Sequence, residues 1–254
     1  QGCCCIYEGR YDQGLAALAR LLELGRRDRD ADLLARAHLQ YIYYGIQTWN
    51  LPVIREHLQA GMALLSGREN TEEYGIYLRM EGVLRMMEGQ YEPSRRALRR
   101  SIQVFQRLPL TGGSCYDIHV AGAYNYMAED DRLEGNYDQA FLDYDQAILH
   151  NRSLGFYPGS AVFYTGYGVA AAQKGEERTA RSLFSYAAEL YRSSREFSCR
   201  PIAMSYLAYY QAQDGNYEGA DQALEDAFQV CGRIGSPWWL GMTLYQCWRI
   251  RALL

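Results

Sequence analysis

His119 and Glu129 are the residue types a hydrolytic proton relay would use, and both fall on one expected helix. They stand ten residues apart, about 15 Å of helical rise, so they cannot share a proton. His38, His57 and His150 fall on other helices, and no two histidines have the i, i+4 spacing that aims two imidazoles at one metal. Each is expected to be a surface or partly packed side chain. The seven cysteines are an odd number, with Cys3, Cys4 and Cys5 contiguous and the others isolated at 115, 199, 231 and 247. No Cys-x-x-Cys occurs, so a zinc ribbon or thioredoxin-like motif has no support; small buried thiols in a reducing cytoplasm are expected instead. The sequence has neither a Gly-x-x-x-x-Gly-Lys phosphate loop nor a Gly-x-Ser-x-Gly nucleophile elbow. Glu129, Asp130 and Asp131 point from successive faces of a helix and do not share a site. Gly166-Tyr167-Gly168 lacks the preceding strand that a dinucleotide loop needs and reads as a point of close helix approach. A non-enzymatic protein without cofactor or metal is therefore expected.

Residues suited to recognition are better supplied. The chain holds 23 tyrosines, and Tyr, Arg, Asn and Gln combine ring area at low entropic cost with forked or amide hydrogen bonding. The question is which elements bring them to one surface.

The elements are set by an internal repeat. Gly135-Asn136-Tyr137 opens a helix in which Ala140, Tyr144 and Ala147 share one face. The pattern returns at Gly175 with Ala180, Phe184 and Ala187, and at Gly215-Asn216-Tyr217 with Ala220, Leu224 and Ala227. Weaker copies begin at Gly9 and Gly89. The step is about 40 residues, which predicts a degenerate copy near Trp49, where Leu51, Ile54, Leu58 and Gly61 take the expected places. Between Gly89 and Gly135 the step is longer by roughly six residues, a tolerated insertion placed at Leu108-Pro109-Leu110-Thr111-Gly112-Gly113-Ser114.

Small residues Gly82, Ala128, Gly168 and Ala208 each precede a turn glycine by seven positions. With the Gly-x-Tyr turn and the following Ala, large apolar residue and Ala, this pattern resembles the tetratricopeptide-repeat family over nearly the whole chain. The 40-residue unit is longer than that family's common 34. It is similar to the superhelical sensor arms of the maltose-activator-like branch of LuxR-type transcription factors. The resemblance implies an all-α, right-handed superhelical solenoid: about six helix pairs, at approximately 1–28, 29–68, 69–114, 115–155, 156–196 and 197–234, and a final helix at 236–254, in one domain.

Helices are expected near 11–25, from about 32 to 47, and at 51–65, 71–88, 92–107, 116–134, 137–152, 158–174, 177–193, 199–214 and 217–232. A remnant is expected at 2–8, and the last helix opens at Ser236-Pro237. Asn70 with Glu73 reads as a capping box. Nothing reads as a strand. The chain opens without Met and stops inside a helical pattern, so it reads as a piece of a longer protein.

In such a stack the resemblance implies that first helices line a concave groove. Counting back from each turn selects Arg36, Gln40, Tyr43, Gln47, Arg79, Asn125, Tyr126, Glu129 and Arg132, then Thr165, Gln173, Ser205, Tyr206, Tyr209, Gln213, Tyr245, Gln246 and Arg249. Arg79, Asn125 and Arg132 form the expected seat for a carboxylate or phosphate. The opposing reading is that many of these tyrosines only pack between units.

Net charge of −4 gives no basic field, so direct nucleic-acid contact is not expected. Arg95, Arg96, Arg99 and Arg100 read as a solvated helix face. No apolar run approaches the roughly 20 residues of a membrane span. The expected function is capture of a protein, a peptide or a small-molecule effector by the sensor arm of a cytoplasmic bacterial transcriptional regulator. The rival expectation is a free-standing scaffold or co-chaperone adaptor. The tryptophans of the terminal helix offer a dimer contact.

Overall fold

The structure is a computed structural model that describes residues 5–6, 9–109, 116–152, 160–194 and 197–253. The described residues form twelve α-helices and no strand. In chain order they are α1 (Tyr11–Asp28), α2 (Ala31–Thr48), α3 (Leu51–Leu64), α4 (Glu72–Met87), α5 (Tyr91–Arg107) and α6 (Asp117–Glu134). There follow α7 (Tyr137–Arg152), α8 (Ser160–Lys174), α9 (Glu177–Ser193), α10 (Arg200–Gln213), α11 (Tyr217–Ile234) and α12 (Pro237–Arg251). No described helix is long and apolar enough to cross a membrane. The chain divides into two compact units, Gln1–Asp130 and Asp131–Leu254, with the division inside α6.

The repeated turn has one geometry. Gly89, Gly135, Gly175 and Gly215 all adopt positive φ, between 75° and 89°, a left-handed step that only glycine takes without a Cβ penalty. The following N–H then reaches back to a carbonyl five residues earlier, as in Asn136 to Asp131 at 2.8 Å and Asn216 to Gln211 at 2.9 Å. The same residue's carbonyl receives the next helix: Asn136 accepts from Ala140 at 3.0 Å. Chain reversal therefore takes two residues. Trp49 occupies the same left-handed place with φ 57°, and Asn50 N–H still bonds Gly45 O at 2.7 Å. The degenerate copy keeps the turn without its glycine.

Caps set the helix starts. Asp30 accepts from Leu33 N–H at 2.9 Å, Asn216 from Gly219 N–H at 3.1 Å, and Ser236 from Trp239 N–H at 3.5 Å. The cap of α4 differs from expectation. It is Thr71, not Asn70: Thr71 has the extended backbone that aims its hydroxyl at the first turn, accepting from Tyr74 N–H at 3.3 Å. The helix expected to open at Pro158 is described from Ser160. Pro158, the Gly112-Gly113 break, Cys3, Cys4 and Cys115 lie outside the described residues.

In the first unit, Ala35, Ile42, Ile54, Leu58, Tyr77, Met80 and Val83 join α2, α3 and α4 in one core. Leu98, Ile102 and Phe105 of α5 pack with Val120, Ala123 and Met127 of α6. Tyr77 is fully buried and donates to the Ala35 carbonyl at 2.6 Å. In the second unit the repeat positions Ala140, Tyr144, Ala147, Ala180, Phe184, Ala187, Ala220 and Ala227 are all buried. Small residues let the paired helices close: a Cβ on Gly82 would lie 2.6 Å from Leu98 Cγ, and one on Gly168 would lie 2.9 Å from the Phe184 ring. The terminal helix α12 leaves an apolar face in solvent, with Leu244, Tyr245 and Trp248 more than half exposed.

Candidate ligand-binding faces

In the first unit, the first helices α2, α4 and α6 turn polar side chains to a common face. Tyr43 and Arg79 meet directly, Nη2 of Arg79 donating to the Tyr43 hydroxyl at 3.3 Å. The Arg79 guanidinium then lies over Gly122 of α6, where a Cβ would overlap its Nη1. Asn125 stands one turn further along α6 on the same side and is buried. Gln40 precedes Tyr43 by one turn of α2. Tyr126 is wedged against both cores of the unit.

Three polar atoms of this face are buried without a partner among the described residues: Oε1 of Gln40, Nε of Arg79 and Oδ1 of Asn125. Burying an unmade hydrogen bond costs about 1–3 kcal/mol per group. None of the ion pairs among the described residues involves Arg79. Arg79 thus offers a cation with an unfilled donor, and Gln40 and Asn125 each an unfilled amide acceptor, groups that suit a ligand carrying both acceptors and donors, as a peptide backbone or a carboxylate-bearing chain does.

The edges of this face are more ordinary. Gln47 is buried and its Oε1 accepts from the Tyr11 hydroxyl at 3.3 Å. Arg36 is exposed, 3.9 Å from Glu73, and Glu129 is half-buried. His119 stacks on Phe105 with ring centres 4.9 Å apart, and its Nε2 lies 3.3 Å from Glu72 Oε1. Burial, with the Arg79 charge adding to it, pushes His119 down to about 3. It is thus neutral at pH 7, and no described contact brings it to Glu129.

The second unit carries a different set. Arg132 donates to Gln173 Oε1 at 3.0 Å. Of the expected trio, Arg79 and Asn125 belong to the first unit and Arg132 to the second. On α10, Tyr209 is capped by the Arg249 guanidinium 3.6 Å above its ring centre. Its hydroxyl accepts from Gln213 at 2.9 Å. Arg249 also donates to Gln246 Oε1 at 3.1 Å. Tyr206 is buried and stacked on Phe184 at 4.5 Å. Burial raises the Tyr206 phenol, and the charges of Arg249 and Arg132 act to lower it. Tyr245 is half exposed and stacks on Trp248. Thr165 and Ser205 are buried and return their hydroxyls to helix carbonyls, Ala161 at 2.7 Å and Ile202 at 3.0 Å; they are packing residues.

Two arrangements had no linear signal. His38 and His57, 19 positions apart, meet across α2 and α3 with their Nδ1 atoms 2.8 Å apart. Tyr41 stacks on His57 at 4.1 Å. One ring must donate and the other accept, so the pair holds opposite tautomers. Burial, with His38 adding to it, pushes His57 down to about 4. Gly122 is the other: its role depends on an arginine 43 positions away. Among the described residues no group of three or more His, Cys, Asp or Glu side chains could hold a metal. Cys231 and Cys247 are raised by burial, which leaves them protonated and unreactive.

No known protein family's sequence profile matches the chain, and no curated protein matches it in sequence. Solved structures do match in fold. A Rap protein complexed with competence and sporulation factor aligns over 92% of this chain and 63% of its own, with 15% identity and a TM-score of 0.72. The Rap conjugation gene regulator of plasmid pLS20, in complex with the Phr* peptide, aligns over 86% and 59%, with 14% identity and a TM-score of 0.67. Aspartyl phosphate phosphatase F from Bacillus subtilis aligns over 89% and 58%, with 12% identity and a TM-score of 0.64. The chain thus spans about three fifths of the length of these structures. At such identities the likeness is one of fold, and the fold is that of tetratricopeptide-like helical repeats.

Proposed function

We propose that this chain is a non-enzymatic helical-repeat module that captures a peptide or an extended segment of a protein on the faces of its first helices. The observation that carries the proposal is the set of buried polar atoms on Gln40, Arg79 and Asn125 that have no partner among the described residues. Such groups are costly unless something fills them, and a peptide main chain supplies both the donors and the acceptor they lack. Arg249 over Tyr209, with Gln213 and the half-exposed Tyr245, is the corresponding face of the second unit. Two of the fold neighbours were solved with a competence factor or a Phr* peptide bound, which agrees with this reading.

At a finer level the module is the sensor or partner-binding arm of a larger bacterial regulator of the LuxR kind. A free-standing scaffold is the competing assignment. Fluorescence anisotropy against a library of labelled extended peptides tests the capture itself. For the tightest binder, Arg79→Ala with Asn125→Ala is expected to weaken affinity at least tenfold while helicity is retained. Unchanged affinity in that variant, and in Tyr209→Ala with Arg249→Ala, overturns the proposal.

A further inference from the structure

A second surface of the first unit lies away from the face just described. Glu81 and Arg85 sit roughly 200–240° round α4 from Arg79, and they line two adjoining cavities. One, of about 260 Å³, has an apolar floor of Leu58, Met62 and Leu84. The other, of about 480 Å³, lies between α4 and α5 and is walled by Arg85, Arg96 and Arg100, with Pro93 and Ala97 beneath. The first has room for one large apolar side chain; the second is open and basic.

The charge here runs against the chain. Between residues 85 and 107 there are six arginines (85, 95, 96, 99, 100, 107) and two glutamates (88, 92), a balance of +4 in a chain of net −4. The arginines of α5 also divide by face. Those turned from the cavity meet a carboxylate, Arg95 at 3.2 Å and Arg99 at 3.8 Å from Glu92. Those on the cavity wall do not: among the described residues Arg96 has no ion pair or hydrogen bond, and Arg100 donates to the Tyr74 hydroxyl at 3.3 Å. Elsewhere, Arg55, Arg68 and Arg181 sit 2.5–3.1 Å from acids.

We infer that this groove docks an acidic protein segment, seating one large apolar side chain over Leu58, Met62 and Leu84 and setting carboxylates against Arg96 and Arg100. The shared wall of Glu81 and Arg85 fixes the order, apolar side chain first and acids beside it. Desolvated arginine–carboxylate contacts give orientation and association rate, and the apolar anchor holds the complex. The surface is independent of the peptide-capturing face, so each can fail without the other.

The probe is a labelled twelve-residue peptide of alternating Leu and Glu, titrated against the full chain by anisotropy. Its counterpart with Gln for Glu, and a single-stranded oligonucleotide, are titrated alongside. Binding of the Leu–Glu peptide should weaken at least tenfold in Arg96→Glu with Arg100→Glu, and also in Met62→Glu. Arg79→Ala should leave it unchanged. Equal binding of the Gln counterpart, tighter binding of the oligonucleotide, or indifference to the Arg96 and Arg100 reversals would each overturn the inference. Because these two arginines are exposed, their reversal should not unfold the chain, and circular dichroism checks this.

Discussion

At the scale of single residues, Gly122 has the most specific consequence. A methyl group there meets only the tip of the Arg79 side chain, which can swing away, while alanine is worth about 1 kcal/mol over glycine inside a helix. Gly122→Ala should therefore leave stability unchanged or slightly higher and displace Arg79 from its place beside Tyr43. Peptide affinity should fall without loss of fold, as read by urea denaturation alongside binding. Gly61→Ala should behave oppositely. Its Cβ would overlap the ring of Tyr77, a fully buried side chain pinned by its bond to Ala35 O. Overpacking of this kind costs about 1–3 kcal/mol, so a lowered urea midpoint is expected. Tyr77→Phe removes only the hydroxyl and its bond to the Ala35 carbonyl, which keeps its own helical partner, a loss of about 0.5–1.5 kcal/mol.

At the scale of elements, the two-residue turns are what hold paired helices in register. Gly135→Ala puts a Cβ at φ 83°, where nothing crowds it but the backbone itself resists. A cost of about 1 kcal/mol is expected from that strain, measured as a shift in chemical unfolding. The comparison with Trp49 is informative. That residue sustains the same left-handed step with a bulky side chain, because Asn50 still closes the turn to Gly45 and caps α3 through Val53 N–H at 3.3 Å. The turn is thus set by its hydrogen bonds, and glycine lowers its strain.

At the scale of the whole molecule, acid response should differ between the units. His38, His57 and His119 all lie in the first, and each titrates below the usual histidine range, chiefly because burial penalises the charged ring. A lowered folded pKa means that the unfolded chain binds the proton first. The associated stability is complete above about pH 6.5. It is lost as pH falls toward about 4 for His57 and about 3 for His119. The loss is about 1.4 kcal/mol per pH unit for each group in its window. Calorimetry between pH 7 and pH 4.5 should show a first-unit transition that falls steadily, and His57→Gln should flatten that slope. A transition insensitive to pH in this range would contradict the buried neutral pair.

Much of the architecture could be read along the chain because its causes are local. Gly-Asn-Tyr at 135 and 215, alanines at helical spacing and Ser236-Pro237 act through backbone strain, capping and periodicity within a few residues. Helix ends such as those of α7 and α9 accordingly fall where the spacing puts them, and Thr71 displaces Asn70 as a cap by a single position. The candidate faces were legible only as residue types at repeat positions. Which of them converge required folding, because contacts between helices 40 residues apart depend on rotamer, helix rotation and neighbouring volume. That is why Arg79 joins Tyr43 over Gly122, Arg132 goes to Gln173, Arg249 settles on Tyr209, and two histidines 19 positions apart share one hydrogen bond.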